Sequence, residues 1–159
     1  MGGEKEPRKI PAASTDAIRR SMVANRGRDT SPELAVRQLL YRLGLRYRVN
    51  YQPETSLRRS VDIVFTRARI AVFIDGCFWH SCPQHGSLPR ANAEFWASKL
   101  GRTQERDAET NAALAKLGWR VLRYWEHEAP SRVVTMVVAE LTQHDESGGR
   151  ERHSARSAS

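Results

Sequence analysis

Arg69-Ile-Ala-Val-Phe-Ile-Asp-Gly-Cys-Phe-Trp-His80 is the stretch on which the fold of this chain turns. Its first part, Ile70 to Ile74, is apolar and largely β-branched or aromatic, and it reads as a strand buried on both faces. At Gly76 the pattern breaks. Between Asp75 and His80 an acid, a thiol, two large aromatics and an imidazole crowd together. A strand end is where α/β proteins place reactive groups, because the rigid strand fixes the loop that leaves it. Just upstream, Val61-Asp-Ile-Val-Phe65 is a second apolar strand with one acid embedded in it. Only Arg67 and Ala68 separate the strands expected over 60–66 and 69–75, which predicts an antiparallel hairpin. Such a pairing can bring Asp62 and Asp75 to one point.

Outward from this hairpin the elements alternate. Ser31-Pro-Glu33 is a strong helix start, with a hydroxyl at the cap, proline in the first turn and an acid behind it. Leu34, Val36, Leu39, Leu40 and Leu43 keep a helical spacing up to Gly44. A short strand follows over 47–51. Residues 76–92 form a long loop rich in Cys, His, Pro and Gly, which needs a staple to stay ordered. A helix, whole or in two pieces, is expected from Ala93 to Leu117, closed by Gly118, and a strand from Trp119 to Trp125. A last amphipathic helix is expected over 130–142. Before all of these, Ser14 or Thr15 can cap a short helix over 16–24 carrying Arg19 and Arg20, followed by a basic turn containing Arg28. The expected organisation is one α/β domain over 14–142, a mixed central sheet flanked by helices. Residues 1–13 and 143–159 are polar enough to be expected as disordered tails, the first of them basic.

The 159 residues carry 26 Lys and Arg against 18 Asp and Glu, a formal charge of +8. A basic surface attracts polyanions, nucleic acid above all. No apolar run approaches the roughly 20 residues that span a bilayer, and no signal-peptide core opens the sequence, so a cytosolic protein without membrane contact is expected. In that compartment the spacing of Cys77 and Cys82, with His85 close behind and His127 past a later strand, favours a metal over a disulfide. Thiolates and imidazoles in a set of four suit a structural, tetrahedral zinc. The plainer alternative is a small core cysteine and a loop thiol.

Asp62 is too costly to bury for packing alone and must meet a metal or an arginine. His80 alone is as compatible with a hydrogen-bonded structural histidine as with a base. Trp96 alone is as compatible with a helix core as with a contact surface. Phe78, Trp79 and His80 are hard to bury together at a strand end, so part of this group should face solvent or a ligand.

Five strings taken together resemble one family. They are Gly27-Arg-Asp-Thr-Ser-Pro-Glu33, Val61-Asp-Ile-Val-Phe65, Val72-Phe-Ile-Asp-Gly-Cys-Phe-Trp-His80, Glu94-Phe-Trp96 and Leu117-Gly-Trp-Arg-Val-Leu122. Their order over about residues 15–135 resembles the very short patch repair (Vsr) DNA mismatch endonucleases, with Gly-Cys-Phe-Trp-His the most specific match. The resemblance implies a restriction-endonuclease-like fold of the PD-(D/E)xK type. It further implies an Mg²⁺-dependent enzyme that nicks duplex DNA 5′ of the thymine in a T:G mismatch. Such mismatches arise when 5-methylcytosine deaminates, which implies a functional link to a cytosine-5 DNA methyltransferase. A monomer is expected.

The resemblance also implies roles. Asp62 and the backbone carbonyl of Ile74 would hold two Mg²⁺ ions with water, as few oxygen ligands suit this cation. His80 would be the general base, oriented by Asp107. Glu33 would stand near the metal, and Cys77, Cys82, His85 and His127 would take one zinc. Phe78, Trp79 and Trp96 would wedge into the base stack, and Arg19, Arg20 and Arg28 would contact phosphates. The chain departs from the family where Asp75 replaces a histidine found in some relatives. An acid there can ligate metal or alter the base. The alternative readings are a nuclease cutting both strands on the same fold, and a zinc-stapled DNA-binding module without chemistry.

Overall fold

The computed structural model describes residues 28–156, with side chains from 28 to 147. The tail over 1–13, the helix over 16–24 and its Arg19 and Arg20 lie outside the described residues. Three helices and four strands follow in the order α1 (Ser31–Arg42), β1 (Arg48–Tyr51), β2 (Val61–Phe65), β3 (Ile70–Asp75), α2 (Ala93–Lys116), β4 (Arg120–Trp125) and α3 (Pro130–Arg156). The sheet is ordered β1-β2-β3-β4. β1 and β2 pair antiparallel, as do β2 and β3, whereas β4 runs parallel to β3. A parallel neighbour needs a crossover, and the 24-residue α2 supplies it.

All six residues of β3 are buried, as expected of a central strand covered on both faces. Its alternation sorts the core. Ile70, Val72 and Ile74 point to one side, where Ile63, Phe65, Val36 and Leu40 of α1 and Val133, Val134 and Val137 of α3 join them. Ala71 and Phe73 point to the other, with Val64, Leu114 of α2 and Trp119. Each such aliphatic side chain contributes about 1.5–3 kcal/mol when fully buried. Asp62 and Asp75 share the parity of Val64 and Phe73, so both belong to the α2 side at the same end of the sheet. That register, with Ile63 opposite Val72, is what builds the site.

Several expectations need correction. The hairpin turns through four residues, 66–69, because pairing stops at Phe65 opposite Ile70, and Arg69 takes a left-handed φ of 53°. Thr30, not Ser31, is the helix cap, and it makes no side-chain bond to the helix backbone. Instead Glu33 reaches back, accepting the Asp29 N–H at 2.9 Å and the Thr30 hydroxyl at 3.1 Å. The tail expected from 143 onward is helical to Arg156. Gly148 and Gly149 cost roughly 1 kcal/mol each in a helix, but the surrounding Gln, Glu and Arg residues are helix formers. α2 is a single helix through Gly101, and Gly118 closes it with a left-handed φ of 83°. No described helix is long and apolar enough to cross a membrane.

Candidate active site

An open cavity of about 420 Å³ lies where β2 begins and β3 ends, and α1, α2 and β4 each contribute to its walls. Asp62, Ile74, Asp75, His80, Asp107 and Glu33 all line it. The hairpin register delivers the first three. The N-terminus of α1 delivers Glu33, and α2 delivers Asp107, with Thr103 and Thr110 four and three positions away on the same helical face.

Asp62 has no cation at its carboxylate among the described residues. Its Oδ2 accepts the Ile74 N–H at 2.8 Å. Arg37, the nearest buried cation, reaches only its main-chain carbonyl, at 3.3 Å. Burial, aided by the charges of Glu33 and Asp75, pushes the Asp62 carboxyl up to about 7 against the pull of the Ile74 bond. A half-buried carboxylate left without a counter-ion in a solvent-open cavity fits a divalent cation. Glu33 is 2% exposed and is held differently. Arg37 donates to it at 3.1 Å, and the same guanidinium binds Asp29 at 2.5 Å. Burial still leaves the Glu33 carboxyl raised.

His80 is placed by a tight coil. Its N–H donates to the Gly76 carbonyl at 3.1 Å, and Ser81 after it takes a φ of 56°. Its Nδ1 lies 2.5 Å from Asp107 Oδ2 and 3.8 Å from Asp75 Oδ1. Burial lowers the affinity of this ring for a proton, yet the Asp107 bond and the two carboxylate charges outweigh it and raise the net value. Asp107 in turn sits below the usual carboxylate range. Burial opposes its charge, and the His80 bond and the nearby charges of His80 and Arg123 overcome that. An imidazole with one nitrogen bound to a carboxylate and the other free is built to accept a proton.

On the other side of the same loop, the ligand atoms of Cys77, Cys82, His85 and His127 lie within 4.8 Å of one another. Cys77 Sγ is 3.1 Å from His127 Nδ1, and Cys82 Sγ is 3.7 Å from that atom and 3.9 Å from His85 Nδ1. Donors around one tetrahedral ion with bonds of 2.0–2.3 Å stand roughly 3.3–3.8 Å apart, so the set fits a zinc-sized cation. Burial, with Cys82 and Glu126 adding, pushes the Cys77 thiol up to about 12, a penalty that a bound cation reverses. The loop turns at Gly86, where a Cβ would stand 2.6 Å from the Cys82 carbonyl oxygen.

With this geometry in hand, the relatives decide the family. Residues 14–84 match the family model described as DNA mismatch endonuclease Vsr. The type II nicking enzyme V.NaeI of Lentzea aerocolonigenes is 47% identical over 133 residues, 82% of this chain and 80% of the relative. The DNA mismatch endonuclease Vsr of Escherichia coli is 39% identical over 110 residues, 67% of either chain. The chain belongs to the Vsr family. It is therefore a Vsr-family endonuclease that acts on DNA, and its α/β mixed sheet is the nuclease fold that membership implies.

Within this Vsr-family framework the aromatics form one cluster. Phe78 meets Trp79 at 5.2 Å and Trp96 at 5.4 Å between ring centroids, and Trp79 meets Trp96 at 6.1 Å. Phe78 and Trp79 are half-buried, but Trp96 is only 3% exposed. The expectation for Trp96 is corrected: it is the floor on which the other two stand, because its helical position turns it into the core. The Trp79 indole N–H is buried without a hydrogen-bond partner among the described residues. Lys99 lies over its ring at 5.6 Å. Arg28 is exposed, and Arg59 and Arg106, which sequence reasoning missed, are exposed residues at the rim of the cavity. Two ion-paired arginines, the buried Arg37 and the half-buried Arg123, also went unforeseen. Arg37 was one step off an apolar helix stripe, where its i, i+4 spacing from Glu33 was the available signal. Arg123, on β4, binds both oxygens of Asp75, so this acid is already ion-paired.

Proposed function

We propose that this protein nicks one strand of duplex DNA on the 5′ side of the thymine in a T:G mismatch, by Mg²⁺-dependent hydrolysis. One observation supports the reading above all: an imidazole oriented by Asp107 and a half-buried carboxylate without a counter-ion among the described residues, Asp62, open into the same cavity. Asp62 and the Ile74 carbonyl, with water, would hold the Mg²⁺, two ions in all. When bound, Mg²⁺ supplies positive charge to the scissile phosphate and to the leaving 3′-oxygen. His80 takes the proton of the attacking water at Nε2, since Nδ1 faces Asp107. Asp107 fixes that tautomer and stabilises the imidazolium that results. Glu33, tied to Arg37 and to the turn before α1, keeps the helix end beside Asp62. The product is a nick with a 5′-phosphate.

Phe78 and Trp79, on the floor of Trp96, are the wedge that opens the stack beside the mispaired thymine. Opening costs less at a wobble pair than at a matched one, which turns DNA deformability into selectivity. Arg28, Arg59 and Arg106, with Arg19 and Arg20 earlier in the chain, supply phosphate contacts that ignore sequence. Cys77, Cys82, His85 and His127 hold a structural zinc that orders the loop. Because T:G pairs arise from deaminated 5-methylcytosine, the enzyme serves DNA modified by a cytosine-5 methyltransferase, acting as a monomer in the cytoplasm.

A strand-resolved gel of end-labelled duplexes tests the reading. T:G duplex should be nicked only in the thymine strand and only with Mg²⁺, while matched T:A duplex stays intact. Scission of both strands, equal attack on the matched duplex, or binding without cleavage would overturn it.

A further inference from the structure

Two carboxylates compete for one imidazole in this site. Asp107 and Asp75 approach the same atom, His80 Nδ1, at 2.5 and 3.8 Å. Asp75 also follows Ile74 directly and lines the cavity that holds Asp62, so by position it is as available to a divalent cation as Asp62 is. What separates the two acids is Arg123.

Arg123 stands beside Phe73 in the β3/β4 register, two rungs before the strand end. Its Nη1 donates to both Asp75 oxygens, at 2.8 and 2.9 Å. Its Nη2 lies 3.6 Å from Asp107 Oδ1, and its Nε donates to Asn111 Oδ1 at 2.8 Å. The guanidinium carbon sits 4.1 Å from the centroid of the Phe73 ring. Three nitrogens and one face are thus engaged, and the side chain is 19% exposed. A guanidinium fixed in this way cannot swing out to a phosphate without abandoning the buried Asp75 and the partly exposed Asp107. Asn111, one turn after Asp107 on α2, anchors it from the same helix that carries the His80 partner.

We propose that Arg123 is a positioning residue of the nicking reaction, a clamp that withdraws Asp75 from both the divalent cation and His80. Asp107 is then the only carboxylate directing the ring, and Asp62 is the strand acid left for the metal. This deepens the function proposed above and rests on it for the catalytic part. The cation-binding part stands without it. Where a metal-binding acid is expected from the position of Asp75, this chain has an internal ion pair.

Mn²⁺, followed by its electron paramagnetic resonance signal, probes the cation site without any turnover. Removing a ligand or its support changes metal affinity by about 10–100-fold, so Asp62→Asn should weaken Mn²⁺ binding by at least about tenfold and Asp75→Asn should leave it close to the parent. Arg123→Met, which frees Asp75, should tighten binding or add a second Mn²⁺. The double variant Asp75→Asn/Arg123→Met should undo that gain. In the nicking assay Arg123→Met should lose on the order of 100-fold in kcat with KM little changed, the scale of a misplaced catalytic group. The double variant should recover much of the loss, and Arg123→Lys should lose less than Arg123→Met.

Loss of Mn²⁺ affinity in Asp75→Asn comparable to Asp62→Asn would overturn the clamp, because Asp75 would then be a ligand. So would Arg123→Met nicking at the parental rate, or the double variant remaining as slow as Arg123→Met while both melt like the parent. If Arg123→Met does not fold, Arg123→Lys and Asp75→Asn carry the Mn²⁺ comparison alone. If the parent fails to nick T:G duplex, the proposed function falls while the Mn²⁺ comparison still judges the clamp.

Discussion

Asp62→Asn should destroy nicking and at the same time stabilise the fold. In the folded protein without a divalent cation, burial moves this carboxyl from its ordinary 3.8 to about 7. Each pH unit of such displacement is about 1.4 kcal/mol, so charging Asp62 at pH 8 costs the fold on the order of 4 kcal/mol, or about 2–4 after solvent relaxation. The sign follows from the protons bound. Between about pH 4 and 7 the folded state keeps a proton that the unfolded chain has lost, so stability falls as pH rises through this window and levels off above it. Asparagine keeps the acceptor for the Ile74 N–H and carries no charge. Its advantage over the parent should therefore grow by about 1 kcal/mol between pH 6 and pH 8. At pH 8 that advantage corresponds to a melting point higher by roughly 5–15 °C for a chain of this size. The assay is urea or thermal unfolding by circular dichroism, with Mg²⁺ omitted and zinc retained, taking the difference between variant and parent at each pH. Added Mg²⁺ should then close the gap by stabilising the parent alone. An Asp62→Asn protein no more stable than the parent at pH 8, or a difference that does not move with pH, would refute the reasoning.

The other expectations concern the base, the cluster and the wedge. His80→Ala should abolish nicking while gel-shift affinity for T:G duplex stays within about threefold, since general-base removal costs roughly 10²–10⁴ in rate and nothing in phosphate contact. Purified protein should contain one zinc per chain by elemental analysis, and Cys82→Ser should lower both zinc content and melting point, because metal binding is coupled to loop ordering. Trp79→Ala should lose most of the binding preference for T:G over T:A duplex, whereas Arg28→Ala should weaken both alike; a competition gel shift reads both.

The sheet was legible because its signal is local. Ile70–Asp75 and Val61–Phe65 are short, apolar and closely spaced, so hairpin pairing follows from sequence distance alone. The convergence of Asp62 and Asp75 was legible for the same reason. Asp107 was visible only through the family resemblance, since nothing near it in the sequence marks it apart from other acids of a polar helix. Arg123 was not legible at all. In an alternating strand an arginine reads as a solvated side chain, and its partner Asp75 is 48 positions away. Only the parallel register of β4 on β3 joins them. Trp96 and the tail were misjudged for complementary reasons. The family pattern assigned Trp96 a surface role that its helical phase opposes, and composition assigned disorder to residues whose helix propensity is adequate.

The two metal-suited centres are mechanically one object. Asp75 ends β3 facing the cavity, and Cys77 begins the cluster only two residues later. Glu126 ties them: its N–H donates to the Asp75 carbonyl at 2.9 Å, and its carboxylate accepts the Cys77 N–H at 2.8 Å. His80 lies between Cys77 and Cys82, whose own backbone bond, Cys82 N–H to the Cys77 carbonyl at 2.9 Å, closes the coil around it. His80, the base of the proposed reaction, is thus carried on a loop whose two ends, Cys77 and Cys82, both belong to the Cys and His cluster, and it is held from outside by α2 through Asp107. A long loop without secondary structure is a poor support for a group that must be placed to within about 0.5 Å. On the proposed function a metal held by the cluster would remove that difficulty, which gives a reason for a thiol pair within a few residues of His80. Disturbing Cys82 should therefore reach the reaction through His80 before it reaches the sheet.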